Sequence, residues 1–296
     1  MMNVLVIGAT GYIGSAVCRE LAAAGHAVTG LARSEEAAAK LRAAGHEPVA
    51  GDVDQSSRVA ALAAQSDGVI YAVQLYAPNA FDIESLALRA IVEGLANSGK
   101  PFVYTSGAWA YGDTGDRVAD EDTPLNPPAL VARRPELERI ALDGAHSGVR
   151  ASVVRPGDVY GEGRGIPAML VSSARDRGAA SFVGDGRNRW AVVHVEDLAR
   201  LYVLMFDGAS GGDLFNANDE TAFSVREMAE AASRGAGRGG AVHSWPLDEA
   251  RKELGPFADA LVLDQRLTSA RARQRLGWTV RSTTILDDLE RGSYAG

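Results

Sequence analysis

The sequence is poor in cysteine and lysine, and it has no long apolar run. Cys18 is the single cysteine among 296 residues, so no internal disulfide can form and nothing points to an oxidising compartment. We interpret Cys18 as a small buried residue rather than a catalytic thiol. No stretch approaches 18 uninterrupted apolar residues, and the apolar start Met1–Gly8 has no basic segment before it. We therefore predict neither a membrane span nor a signal peptide, and a cytoplasmic location.

Further absences exclude whole classes of function. The net charge is -8, so no global basic field favours nucleic acid or an anionic membrane. The five histidines show neither HExxH nor clustered ligand spacing, so we predict no metal site. A Gly-x-Ser-x-Gly elbow and a Walker-type loop are also missing. We expect a small-molecule substrate and neither nucleic acid nor membrane as partner, with a homodimer as an open alternative.

What remains is an ordinary globular composition, with 46% hydrophobic and 23% charged residues. In the first half, short apolar runs without strict polar alternation, typical of strands covered on both faces, alternate with helical patterns. The predicted strands are Asn3–Gly8, Ala27–Ala32, Glu47–Ala50, Gly68–Tyr71, Pro101–Thr105 and Arg150–Arg155. The predicted helices are Tyr12–Ala24, Glu35–Ala44, Ser56–Ala64, Asp82–Asn97 and Arg134–Ala145, and left-handed caps are expected at Gly25, Gly45, Gly99 and Gly148. This alternation predicts an α/β fold of the Rossmann type, a doubly wound parallel sheet with helices on both faces.

The second half changes character, because glycine-rich loops appear around 161–165, 184–186, 208–212 and 235–240. Helices are predicted at Glu196–Phe206 and Ser224–Ala232, and Ser224 with Glu227 fits a capping box. We predict a Rossmann core over residues 1–160 and a smaller mixed α/β lobe on the substrate side over residues 161–296, interleaved with the core.

A glycine loop lies between the first predicted strand and the first predicted helix. Its glycines permit a tight turn and a close approach of the backbone to a pyrophosphate, while the helix N-terminus offers free N–H groups and a positive dipole end. Because the loop stands inside a βαβ unit, it predicts dinucleotide binding. The expected contacts are Gly8, Thr10, Gly11, Tyr12, Ile13 and Gly14.

The end of the second strand indicates which dinucleotide is bound. An NAD enzyme usually places Asp or Glu there to hold the ribose hydroxyls, whereas this chain has Arg33 followed by Ser34. A guanidinium can hold a 2′-phosphate bidentately, so NADP(H) is favoured and NAD(H) stays an alternative. Glu35 and Glu36 follow at once and offer Arg33 a competing partner.

Several segments together resemble the extended or atypical short-chain dehydrogenase/reductase superfamily, the NAD-dependent epimerase/dehydratase-like group. They are the loop 8–14, Gly51-Asp52-Val53, segment 102–107 with Tyr111-Gly112, segment 154–161, segment 193–199, and Ser269-Ala270 with Leu276-Gly277-Trp278. The resemblance covers nearly the whole chain. It implies further cofactor contacts at Asp52, Val53, Ala72, Val73, Thr105, Pro156 and Gly157. It also implies that His194 packs ahead of a helix capped near Asp197 and is not a catalytic base.

One feature of that superfamily is missing. Its reductases and epimerases use Tyr-x-x-x-Lys on the helix after the fifth strand, where the tyrosine moves the proton and the lysine lowers its pKa and holds the ribose. None of the three lysines of this chain has a tyrosine four positions earlier. The corresponding positions fall on Leu130 and Arg134, and the superfamily's catalytic Ser/Thr falls on Gly107. Arg134 could hold the ribose, but Leu130 cannot move a proton.

Three interpretations stay open. The leading one is NADP(H)-dependent oxidoreduction of a small organic carbonyl or imine substrate, with the proton handled by another acid or by water. Its candidate catalytic residues are Ser106, Tyr111 and Arg134, with Tyr160 as a further polar candidate. The alternatives are a non-redox cyclase, isomerase or dehydratase, and a binding protein that senses NADP(H). A largely apolar pocket is expected near Tyr71, Tyr76, Trp109, Tyr111 and Trp190, each of which could instead be a core residue.

Overall fold

The computed structural model describes residues 1–75 and 78–296. In chain order the strands are β1 (Asn3–Ile7), β2 (Ala27–Ala32), β3 (Glu47–Ala50), β4 (Gly68–Tyr71), β5 (Pro101–Thr105), β6 (Val118–Ala119), β7 (Arg150–Pro156), β8 (Asp158–Tyr160), β9 (Ala180–Val183), β10 (Val192–His194), β11 (Asp213–Ala217), β12 (Val242–Trp245) and β13 (Arg266–Leu267). The helices are α1 (Tyr12–Ala23), α2 (Glu35–Ala43), α3 (Ser56–Gln65), α4 (Ala80–Leu95), α5 (Arg134–Leu142), α6 (Ala168–Arg177), α7 (Val195–Gly208), α8 (Val225–Gly235), α9 (Leu247–Leu254), α10 (Phe257–Leu261), α11 (Ala270–Leu276) and α12 (Ile285–Arg291). Short 3₁₀ turns span Ala108–Tyr111, Ala129–Val131 and Asp143–Ser147.

The centre of the molecule is a seven-stranded sheet in the order β11-β7-β5-β4-β1-β2-β3. All of its pairings are parallel, which confirms the predicted doubly wound sheet. The winding reverses beside β1, since β2 lies on one side of it and β4 on the other. Open α/β sheets bind ligands at such a switch point, beyond the carboxyl ends of the strands.

Strand β1 shows why the apolar run of the sequence folds in this way. Successive side chains of a strand point to opposite faces of the sheet. Val4 and Val6 belong to the core cluster that contains α1 and α7 residues, whereas Leu5 and Ile7 belong to the cluster with α3 and α4 residues. Both faces of the sheet are therefore covered, and every residue from Val4 to Ile7 is buried.

The predicted elements of the sequence lie within three residues of the observed ones. The four glycines expected as left-handed caps have φ between +66° and +85°. The capping box is confirmed, because the Ser224 hydroxyl and the Glu227 carboxylate each accept the backbone N–H of the other. Strand β11 was not predicted, although it is fully buried at the edge of the sheet beside β7.

The second half of the chain has its own apolar core, built from α6, α8, β9, α10 and α12 with Trp190. Segment 195–217 returns to the central sheet, where α7 contributes to the same cluster as α1 and β11 pairs with β7. Two short parallel pairs, β8 with β10 and β6 with β13, join the halves. None of the helices in the described ranges is long and apolar enough for a membrane span.

Candidate cofactor and active site

The glycine loop joins β1 to α1 through contacts that leave no room for side chains. Gly8 has φ +93°, and a Cβ there would lie 2.4 Å from the Ala72 carbonyl oxygen. A Cβ on Gly14 would lie 2.0 Å from the Gly8 oxygen, while Gly11 N–H donates to that same oxygen at 2.9 Å. Helix α1 starts without a side-chain cap and without an acid in its first turn. Its first N–H groups and its dipole therefore fit a pyrophosphate.

The other predicted cofactor contacts lie along the same edge of the sheet. Thr10 is exposed at the tip of the loop and Ile13 is half-buried beneath it. Ala72 and Val73 follow β4 directly beside Gly8. Pro156 ends β7, and the N–H of the buried Gly157 donates to Ala217 at 2.9 Å.

A cavity of about 650 Å³ lies beyond the carboxyl ends of β2 and β3. It is lined by Arg33, Ser34, Glu35, Arg42, Asp52 and Gln55, among others. Ser34 caps α2 by accepting the Ala37 N–H at 3.2 Å. Asp52 also lines the cavity, and its Oδ1 accepts the N–H of the buried Val53 at 2.6 Å.

Arg33 faces this cavity without an acidic partner among the described residues. The two glutamates that could compete for it are engaged elsewhere. Glu35 pairs with Arg42 at 2.6 Å, and Glu36 pairs with Lys40 at 2.7 Å. The exposed Arg33 guanidinium and the N-terminus of α2 therefore form a site that suits an anionic group.

Two of the predicted catalytic residues meet in one buried network. The Ser106 hydroxyl donates to Glu138 Oε1 at 2.5 Å. Arg155 donates to both oxygens of Glu138, at 2.8 and 2.5 Å, and to the Tyr111 hydroxyl at 2.8 Å. Tyr111 in turn donates to Asn216 Oδ1 at 2.7 Å. Burial raises the pKa of Tyr111, although Arg155 opposes the effect.

The third predicted catalytic residue, Arg134, lies in a separate buried cluster. Its guanidinium donates to Glu84 at 3.0 Å and to the Tyr104 hydroxyl at 2.7 Å, and it also contacts Gln74. Burial raises the pKa of Glu84, and Arg134 only partly offsets this. The Arg134 guanidinium is thus satisfied by the protein itself, and its contact with a ribose stays a prediction.

Several other singled-out side chains are turned into the core. The Thr105 hydroxyl donates to the Tyr71 carbonyl oxygen at 2.6 Å and also contacts Tyr202. A cofactor would therefore contact the backbone of Thr105 and not its side chain. Tyr160 donates to the Thr283 carbonyl oxygen at 2.8 Å. Tyr71 and Tyr111 are core residues, and Tyr76 lies outside the described residues.

His194 has the structural role predicted for it. Its Nδ1 accepts the Glu196 N–H at 3.2 Å and so caps α7. The predicted position of the cap, near Asp197, was wrong. The Asp197 carboxylate instead accepts the backbone N–H groups of Arg281 at 2.8 Å and Ser282 at 3.0 Å, because the C-terminal segment passes beside it.

The glycine loop is also tied to the end of the chain. The Tyr12 hydroxyl donates to the Gly161 carbonyl oxygen at 2.6 Å, and the Gly161 N–H donates to the Tyr294 hydroxyl at 2.9 Å. Arg164 stacks over the Tyr12 ring at 4.8 Å. Cys18 on α1 is buried, and burial raises the pKa of its thiol to about 12, as expected for an inert residue.

Sequence reasoning missed Asp158, the first residue of β8. Its carboxyl is buried. Burial raises the pKa of Asp158 to about 7, and the Trp109 side chain opposes the effect. Trp109 is half-buried, and its ring lies 5.9 Å from the ring of Phe257 on α10. The clue in the sequence was an acid directly after the mainly apolar segment 151–157.

A second cavity, of about 410 Å³, lies in the second half of the chain. Its apolar walls include Met169, Phe182, Trp190, Trp245 and Leu261. The Trp190 indole donates to the Leu261 carbonyl oxygen at 3.0 Å, which fixes that wall. Phe257 and Leu261 lie about one turn apart on α10, so this short helix connects the cavity wall with Trp109.

Comparison with known proteins gives a consistent result. Residues 4–217 match the NAD dependent epimerase/dehydratase family. An uncharacterized protein of Schizosaccharomyces pombe is 32% identical, over 99% of this chain and 100% of its own. A 3-diazoavenalumate denitrifying reductase of a Streptomyces species is 29% identical, over 98% of this chain and 100% of its own.

Among solved structures, DesIV (dTDP-glucose 4,6-dehydratase) from Streptomyces venezuelae with NAD and TYD bound superposes with a TM-score of 0.81 at 20% identity. The match covers 99% of this chain and 96% of DesIV. It supports the fold, while the glycine loop and the cavity beside Arg33 supply the fit to a nucleotide cofactor. The chain belongs to the NAD-dependent epimerase/dehydratase family of the extended short-chain dehydrogenase/reductase type.

Proposed function

We propose that this chain is an NADP(H)-dependent reductase or dehydrogenase of a small, largely apolar carbonyl or imine substrate. The observation that carries the choice of cofactor is Arg33. It is exposed at the carboxyl end of β2, it lines the cavity there, and it has no acidic partner among the described residues. A ribose-binding acid is absent from the tip of that strand, so a 2′-phosphate meets a cation there.

The cofactor, when bound, supplies or accepts the hydride. The residues of this chain bind the cofactor and surround the reaction centre. The N-terminus of α1 holds the pyrophosphate, and the close contact of Gly14 with Gly8 keeps the helix near it. Arg33 and Ser34 hold the 2′-phosphate at the N-terminus of α2. The carboxyl ends of β5 and β7, which are paired side by side, bound the reaction centre.

The second cavity supports an apolar substrate. Its volume of about 410 Å³ lies in the usual range for small-molecule sites, and two tryptophans contribute to its walls. Most of its other lining residues are apolar, so an apolar ring fits this wall better than a nucleoside diphosphate does. The reductase name of one relative supports the reaction class.

A second function, an NADP(H)-sensing binding protein, is favoured by one observation. Ser106, Tyr111 and Arg134 are all buried and have internal hydrogen-bond partners. Leu130, at the position of the missing tyrosine, is exposed and apolar. A sensor needs the cofactor site alone, whereas an enzyme also needs a proton donor.

Two measurements on the purified protein test the proposal. Fluorescence titrations with NADPH and NADH come first, and we expect the tighter binding for NADPH. NADPH absorbance is then followed with a panel of apolar ketones, aldehydes and cyclic imines, where we expect turnover. NADPH binding without turnover of any compound would favour the sensor, and binding of neither nucleotide would contradict both functions.

A further inference from the structure

The cavity beside Arg33 contains a second arginine, Arg42, near the end of α2. The charged residues in its lining are the cations Arg33 and Arg42 and the carboxylates Glu35, Asp52 and Asp54. Both arginines and Glu35 are exposed to solvent, so all three can reach a molecule that enters the cavity. The lining therefore offers two guanidinium groups, of which the proposed function uses one.

The Arg42 side chain extends along α2 toward the start of the helix. Its Nη1 donates to Glu35 Oε1 at 2.6 Å, although the two residues are seven positions apart. Seven positions are about two turns, or about 10.5 Å along the helix axis, and helical side chains lean toward the N-terminus. The long Arg42 side chain therefore bridges most of this distance, which brings its guanidinium toward the end of α2 that follows Arg33 and Ser34.

The ion pair between Arg42 and Glu35 is weakly held. The side chains are 55% and 80% exposed, and water and salt screen such a pair. The hydrogen bond from Arg42 lowers the pKa of Glu35, so Glu35 is a carboxylate at neutral pH. An anion of higher charge that enters the cavity can therefore displace Glu35 and bind Arg42 in its place.

A 2′-phosphate has the charge and the geometry for this exchange. It carries about two negative charges at neutral pH and three acceptor oxygens, so Arg33 by itself balances about half of its charge. Two guanidinium groups balance all of it, and each can bind phosphate oxygens through two parallel N–H groups. The 2′-hydroxyl of NAD(H) carries no charge, so it does not compete with Glu35 for Arg42.

We propose that Arg42 binds the 2′-phosphate together with Arg33 and that Glu35 occupies Arg42 until NADP(H) arrives, a role that rests on the proposed function. Arg33 is available in the free protein, whereas Arg42 is released from Glu35 by the phosphate itself. Glu35 thereby contributes to selectivity, because only a cofactor that carries this phosphate breaks its ion pair. The displaced carboxylate stays in solvent, where it is already largely exposed.

Fluorescence titrations with NADPH and NADH test the contact of Arg42. In Arg42→Gln we expect about 10-fold weaker NADPH binding, the lower end of the range for a charge-assisted contact, because Glu35 had to be displaced. NADH affinity should not change. Arg139→Gln is the matched control, since it removes an exposed helical arginine that pairs with Asp143 and does not line the cavity. Equal losses for NADPH and NADH in Arg42→Gln, or no loss, would overturn the role of Arg42.

Removing the competing carboxylate should have the opposite effect. In Glu35→Gln, Arg42 needs no release and the phosphate meets one carboxylate fewer, so we expect roughly 2- to 5-fold tighter NADPH binding, the range for an exposed ion pair. Glu36→Gln is the matched control, because Glu36 lies in the same first turn of α2 and pairs with Lys40 but does not line the cavity. Equal gains in the two variants would overturn the role of Glu35.

The double variant distinguishes a direct contact from charge screening. If Arg42 binds the phosphate, Arg42→Gln should weaken NADPH binding at least as much in the Glu35→Gln background as in the wild type. If Arg42 only neutralises Glu35, the loss disappears in that background, and this result would overturn the proposal.

The outcomes also separate this proposal from the proposed function. Selective loss of NADPH affinity in Arg33→Gln but not in Arg42→Gln overturns the role of Arg42 alone. Wild-type binding of NADH as tight as that of NADPH overturns the choice of cofactor and the role of Arg42 with it. Selective loss in both single variants, with the loss in Arg42→Gln retained in the Glu35→Gln background, supports both proposals.

Discussion

At the scale of single residues, Asp158 should cost the protein stability at neutral pH. Its pKa is about 7 in the folded chain, against about 3.9 for an unfolded aspartate. Folding therefore favours the protonated form of the carboxyl. The contribution of this form to the free energy of unfolding is fully present below pH 4 and is lost as the pH rises through 7. The loss is about 1.4 kcal/mol for each pH unit between the two pKa values.

We therefore expect Asp158→Asn to gain stability relative to the wild type between pH 5 and pH 8. The amide has no charge to bury, so the free energy of unfolding of the variant lacks this pH dependence. Urea unfolding at both pH values measures the difference. A difference in the free energy of unfolding between variant and wild type that is the same at pH 5 and pH 8 would show that the carboxyl is not desolvated.

Arg33 should decide the choice between the two dinucleotides. Arg33→Gln removes a charge-assisted contact with the 2′-phosphate, which is worth about 1.5–3 kcal/mol, or roughly a 10- to 150-fold weaker NADPH affinity. The affinity for NADH should not change. Arg139→Gln is the matched control, because Arg139 is an exposed arginine on α5 paired with Asp143 and does not line the cavity. Equal losses for NADPH and NADH would mean that Arg33 does not contact the 2′-phosphate.

At the scale of elements, the junction of β1 with α1 depends on the absence of side chains. In Gly14→Ala the new Cβ would stand 2.0 Å from the Gly8 oxygen, so α1 has to move away from the loop. We expect nucleotide binding to be lost, together with about 1–3 kcal/mol of stability. Gly208→Ala is the control, since its Cβ would make an ordinary 3.6 Å contact with Leu276 and should leave nucleotide binding intact.

The capping box of α8 should contribute to the stability of the protein. Ser224→Ala removes the side chain that satisfies the Glu227 N–H, and we expect a loss of about 1 kcal/mol in the free energy of unfolding. Ser57→Ala, at an exposed position in the first turn of α3, should change it little. A cost at Ser224 no larger than that at Ser57 would contradict the contribution assigned to the cap.

The elements that could be predicted are those with a repeated local pattern. Strands β1, β2, β4, β5 and β7 are mainly apolar runs, and α1, α2 and α4 have a helical period followed by a glycine. Strand β11 is different, because it begins with Asp213 and contains Asn216, whose polar groups are satisfied by distant residues. Its burial is decided by the edge of β7, which no local window contains.

The conformation of the glycine loop was predictable for the same reason, since residues 8–14 stand together in the chain. The buried acid Asp158 was not. Asp158 and Trp109 are 49 positions apart in the sequence, and an aspartate is ordinarily exposed. Its burial depends on strands β7 and β10 and on the turn that carries Trp109, so the raised pKa of the carboxyl is a property of the tertiary structure alone.

At the scale of the whole molecule, the network around Glu138 connects distant parts of the chain. Glu138 of α5 bonds Arg155 of β7, which reaches Asn216 of β11 through Tyr111. Asn216 also donates to the Thr268 carbonyl oxygen near the C-terminal segment. The Rossmann sheet and the second half of the chain are therefore joined by one buried polar network.

Breaking this network should destabilise the protein as a unit. Glu138→Gln leaves the Arg155 guanidinium buried without its counter-charge, and we expect a loss of about 3–5 kcal/mol. Replacing both partners, Glu138→Leu with Arg155→Met, should cost less than the single change, because no charge is then left buried. Glu136→Gln, in an exposed pair with Arg133, is the control in urea unfolding. A double variant less stable than the single would contradict this account.

The hydrogen bonds that Gly161 makes with Tyr12 and Tyr294 have a practical consequence for handling the protein. Tyr294 lies two residues before Gly296 and supports the loop that carries Tyr12. An affinity tag fused after Gly296 would displace Tyr294 from its contact with Gly161, beside the glycine loop. Met1 is fully exposed at the opposite edge of the sheet. Purification by a tag at Met1 should therefore preserve nucleotide affinity, and C-terminal tagging should weaken it.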